Sequence, residues 1–131
     1  MKAMPRIWIA LLIGMTTMAP QMVLSHSAPE RPRAFCGGIP KATEFFNLEL
    51  LLMDGRISLF VRDRHNWPLD IRGFRASAKP LGQGDPQEIS LMPDKRSSLT
   101  GNGEVGEAES LLIALQAPGR GTIRIWFDVS P

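Results

Sequence analysis

This 131-residue chain has only one cysteine and two histidines. A single cysteine, Cys36, excludes an internal disulfide. In an oxidising compartment it is a thiol, a mixed disulfide, an intermolecular bridge or a ligand. Ser-His-Asp and Cys-His catalysis need a base held against the nucleophile, and neither His26 nor His65 has a glycine-framed serine nearby. Glu107 and Glu109 lie in a polar turn, without the apolar surroundings that would raise a carboxyl group into a general acid. No stretch stacks five or six like charges, so nucleic acid and anionic membranes have no electrostatic counterpart here. The chain reads as non-catalytic.

Long apolar runs are scarce too, and the one present lies at the start. Lys2 and Arg6 precede an apolar run from Ile7 to Met15, which Pro20 and Gln21 break. Val23-Leu24-Ser25 then offers small or apolar residues at the positions a signal peptidase reads, so residues 1–25 are expected to be a secretory signal peptide. The alternative is an uncleaved anchor helix. A bilayer needs about 20 apolar residues, and this run reaches that only by including Thr16, Thr17, Pro20 and Gln21.

Removing the leader changes the rest. It carries two of the 15 basic residues and none of the 13 acidic ones, so the remaining chain is formally neutral, at 13 against 13. It also holds five of the seven methionines, leaving Met53 and Met92. Lipidation is not expected at Cys36, because Glu30 to Arg33 separate it from the apolar run.

Residues 26–43 hold three prolines and the Gly37-Gly38 pair with no period, and read as a flexible, extended lead-in. From Glu44 to Pro131 the pattern becomes that of strands. Leu48, Leu50 and Leu52 alternate with Asn47, Glu49 and Leu51, while Ile57, Leu59 and Val61 alternate with Ser58, Phe60 and Arg62. Asp54-Gly55 between the two runs is a strong hairpin signal. Further short runs follow at Arg72–Leu81, Glu88–Met92, Ser110–Gln116 and Thr122–Val129, with a brief one at Leu99. Helical periodicity is absent. Six to seven strands with turn signals at this spacing predict an all-β domain, a single antiparallel β-sandwich of immunoglobulin-like kind. A small closed barrel satisfies the same pattern.

Four features invite a functional reading. Gly101-Asn102-Gly103-Glu104-Val105-Gly106 matches a dinucleotide-binding spacing. It lacks the βαβ unit that gives such a motif its use, so it reads as a flexible connection between strands. His65, flanked by Asp63 and near Asp70, has the residue types of a metal or proton-transfer site and equally those of a solvated loop. Cys36 suits copper(I) or zinc, so Cys36, His65 and Asp63, with Met92 in reserve, are the candidate metal ligands. Trp126 is placed opposite Ile125 and Phe127, where its exposure beside Arg124 would mark a contact surface.

The Cys36–Phe127 stretch resembles a family of small, mostly uncharacterised periplasmic β-sandwich proteins and domains of Gram-negative bacteria. Some of these are associated with heavy-metal efflux or copper resistance. The matching places are Cys36-Gly37-Gly38, Asp54-Gly55, Asp63-Arg64-His65-Asn66-Trp67-Pro68 and Gly101-Asn102-Gly103. The family pattern has histidine where Cys36 stands, and its loop histidine falls one place earlier, at Arg64. The resemblance implies a periplasmic or secreted sandwich; the leader, the strand pattern and the lack of catalytic residues suggest an accessory module with an envelope protein as partner. The resemblance also implies copper or zinc as the cofactor to test. Exported protein is predicted to begin near His26, read by N-terminal sequencing; a chain beginning at Met1 would leave the anchor.

Overall fold

A computed structural model describes residues 28–130 apart from positions 83, 86, 95 and 96; the expected leader, with His26, lies outside the described residues. The domain grows from the hairpin that the sequence marks most strongly. Strands β2 (Asn47–Met53) and β3 (Arg56–Arg62) pair antiparallel, with Met53 opposite Arg56. Asp54 and Gly55 make the turn between them, with φ of 41° and 76°. Positive φ at both central positions gives the type I′ turn, whose twist matches that of the strands it joins.

The remaining strands are β1 (Ile39–Ala42), β4 (Arg75–Leu81), β5 (Ile89–Pro93), β6 (Ser98–Asn102), β7 (Ser110–Ala117) and β8 (Gly121–Asp128). They form one eight-stranded antiparallel sheet in the order β1-β2-β3-β6-β5-β4-β7-β8. β4, β5 and β6 follow one another, and β7 returns beside β4, which is a Greek key. β5 is shared unequally: Ile89–Leu91 pair with β4, whereas Met92 and Pro93 pair with β6. The fold is all-β, and among the described residues no helix is long and apolar enough to cross a membrane.

One face of most strands is apolar, and the curved sheet turns those faces onto each other. Leu48, Leu50, Ile57, Leu59 and Val61 from the first hairpin meet Ala78, Leu91, Leu99, Leu111, Ile113, Leu115 and Phe127 in a single core. Each large aliphatic side chain buried this way contributes about 1.5–3 kcal/mol.

The sheet is nearly closed on itself. Its two edges, β1 and β8, are not paired, but the Lys41 ammonium donates to the Trp126 carbonyl across the gap. It also lies 5.8 Å from the centre of the Phe127 ring. Neighbours along the whole order are antiparallel, so the first and eighth strands run in opposite directions.

Three points differ from the sequence reading. There are eight strands, not six or seven, because β1 falls within residues 26–43 and pairs with Asn47–Leu50 of β2. Pro40 does not prevent this, since a proline is tolerated on an edge strand. The neighbour order also departs from the immunoglobulin one, in which the second and third strands lie in different sheets. Finally, Gly101 and Asn102 are not a flexible connection: they complete β6, opposite Ile57 and Arg56.

Gly101 is required by a close approach. A Cβ there would sit 2.2 Å from the Ser90 carbonyl oxygen, whereas one at Gly84 would meet nothing within 4 Å. Gly101→Ala is therefore predicted to lower unfolding free energy in urea by about 1–3 kcal/mol. Gly84→Ala should stay within about 0.5 kcal/mol of the parent.

Candidate functional site

Alternation along β2 sends Leu48 and Leu50 inward, so Asn47, Glu49 and Leu51 must project from the outer face. Glu49 is nevertheless 0% exposed. Residues 28–38 cover it, crossing the outer face of β2 and β3 as a strap before turning into β1. An isolated buried carboxylate is costly and persists only when its charge is matched by donors. The N–H groups of Cys36 and Gly38 both donate to Glu49 Oε2 at 2.8 Å. Arg62 Nη1 donates to Oε1 at 3.3 Å.

The Cys36-Gly37-Gly38 motif acquires a physical meaning from this. Gly37 has φ of 80°, and its N–H closes a turn onto the Ala34 carbonyl at 3.3 Å. The reversal points two amides into one concavity, a backbone nest suited to an anion, and the anion is the protein's own Glu49. Gly38 admits no side chain, because a Cβ would lie 2.3 Å from the Leu50 carbonyl oxygen. The motif uses the backbone of residue 36, not its side chain.

Further contacts hold the strap. The Phe35 ring lies against the Arg62 guanidinium, 4.3 Å from centroid to Cζ. Asn47 Nδ2 donates to the Glu30 carbonyl at 3.0 Å and to Asn66 Oδ1 at 2.9 Å. Asn66 Nδ2 in turn donates to the Arg31 carbonyl at 2.8 Å, and Glu30 N–H reaches the Arg64 carbonyl at 2.8 Å.

Beside the strap the same outer face is open. A groove of about 510 Å³ runs over β2, β3 and β6. Leu51, Met53 and Phe60 supply apolar walls, Ser58, Ser98 and Thr100 supply hydroxyls, and Cys36 closes one end. Arg56 and Asp94 flank it as an exposed ion pair at 3.3 Å. Apolar side chains at Leu51 and Phe60, on the face that alternation assigns to solvent, were the sequence signal for this groove. The burial of Glu49 had none, since its cover comes from a segment with no strand pattern.

The residues proposed as metal ligands are placed differently. Asp63 Oδ1 accepts the N–H groups of His65 at 2.8 Å and Trp67 at 3.0 Å, so this carboxylate closes its own loop. His65 is exposed at the loop tip. Asp70 is engaged by Arg72, whose hydrogen bonds hold its carboxyl at about 2. Cys36 rides on the strap, and Met92 is exposed on β5. Among the described residues no three His, Cys, Asp or Glu side chains are grouped to hold a metal ion, so Cys36, Asp63 and His65 are not assembled as one centre. Trp126 is half exposed, as its alternation requires, and Trp67 is 69% exposed.

No family model, curated protein or solved structure matches the chain. What the site does chemically must come from its geometry. The described loop predicts equal, weak binding of copper(I) and zinc by the wild type and Cys36→Ser in competitive titration. Tight binding abolished by Cys36→Ser would place a metal at the thiol instead.

Proposed function

We propose that the chain is an exported, non-catalytic binding module of the periplasm, and that its ligand seat is the groove over β2, β3 and β6. The observation that carries this reading is apolar surface where a solvated sheet face should be polar. Leu51, Met53 and Phe60 line one concavity with three hydroxyl-bearing residues between them. Small-molecule sites are concave and mostly apolar, with a few placed polar groups, and fall between about 300 and 1,000 Å³. The occupant that suits this seat is a small molecule with an apolar body and one or two hydrogen-bonding groups. An envelope protein is the partner such an accessory module would serve.

The leader supports export, and the shortage of catalytic side chains supports binding over turnover. We further read the curved sheet as a sandwich. β1-β2-β3-β6 makes one layer and β4-β7-β8 the other, with β5 turning the corner between them. The unequal pairing of β5, with β4 through its first half and β6 through its second, supports this, because strands that switch sheets make such corners.

Nile red, a neutral apolar dye, tests the seat without a charge term. Saturable fluorescence enhancement is expected with the wild type. Ser58→Arg, which places a long cation on the groove floor, should weaken it at least tenfold, about 1.4 kcal/mol. Unsaturable enhancement, or equal binding by the variant, would count against this seat.

A further inference from the structure

Most of the groove is sheet. Leu51, Ser58, Phe60 and Thr100 sit on strands whose ladders hold them in place. The end formed by Cys36 is not. That residue belongs to the strap, and its backbone is tied to the sheet there by Glu49. The carboxylate itself does not line the groove. It sits beneath the strap, fully buried, and decides where the Cys36 wall stands.

We propose that Glu49 is a positioning residue for the groove, and that docking of the 28–38 strap and filling of the groove are coupled events. The inference rests on the groove being the ligand seat. A ligand packed against Cys36 gains contacts only while the strap is docked, so it must stabilise the docked strap by the same factor, as linkage requires. The strap is suited to such a role. It carries no ladder pairing of its own and is held by a few discrete bonds, with Phe35 on Arg62 and the carboxylate nest as its anchors near the groove. Neither Glu49 nor Phe35 belongs to the apolar core, so strap release would disturb the outer face first.

Glu49→Gln loosens the nest without changing its size. A glutamine amide has one acceptor oxygen. If that oxygen faces the strap amides, its NH2 confronts the Arg62 guanidinium, and in the opposite orientation the NH2 confronts the amides. Phe35→Ala loosens the strap independently, by removing the exposed ring on Arg62.

The test combines Nile red titration with hydrogen exchange at the Cys36 and Gly38 amides, for the wild type and both variants, with far-UV circular dichroism as the folding control. Dye is expected to slow exchange of both amides in the wild type. Each variant should bind dye about tenfold more weakly and lose the slowing. Unchanged dye affinity in a folded variant, or unchanged amide exchange in dye-saturated wild type, would overturn the coupling. Should Glu49→Gln fail to fold, Phe35→Ala decides alone. Failure of the wild type to bind dye at all would overturn the groove reading, and the coupling with it.

Discussion

A carboxylate with no exposure must be matched on every side, and the outer half of this domain is organised by that demand. Glu49 sits where β2 alternation would put it in water. Its two oxygens are matched there because a loop segment brings two backbone amides to one and Arg62 comes to the other. Charge-assisted bonds of this kind are shorter and stronger than neutral ones. The strap in turn needs the carboxylate, since it has no apolar stripe with which to pack. This mutual need brings a Pro-rich segment into register and starts β1 at Ile39.

The core obeys a different constraint, that of close backbone approach. β5 pairs with β4 over its first half and with β6 over its second, and β6 can reach it only because Gly101 has no side chain to meet the Ser90 carbonyl. The consequence reaches the outer face. Holding β6 beside β3 places Ser98 and Thr100 next to Ser58 and Phe60, and those four residues make much of the groove.

Much of this was legible in the sequence, and the illegible parts share a cause. Asp54-Gly55 between alternating runs announces its hairpin because the turn chemistry is local. β7 and β8 are equally plain, with a clean alternation from Ile123 to Phe127. β1 is not legible because Ile39-Pro40-Lys41-Ala42 has no alternation and becomes a strand only when β2 offers its edge. β6 is only half legible, because Gly101 and Asn102 carry turn composition and are strand by tertiary pairing. Likewise Cys36-Gly37-Gly38 looked like a ligand motif, yet it is spent on a carboxylate 11 to 13 residues away. Asp63 looked like a metal ligand and closes a loop. Long-range partners decide such residues, and a linear pattern does not show them.

The gap between β1 and β8 has its own consequence. An exposed strand edge ordinarily recruits strands from other molecules and so invites aggregation. Here the two edges face each other and run in opposite directions. A single incoming strand placed between them would be antiparallel to one and parallel to the other, breaking the alternation of the whole sheet. Lys41 adds a positive charge at the mouth of the gap and occupies the Trp126 carbonyl that an intruder would need. Strand parity and one lysine thus make this gap a poor template for an added strand.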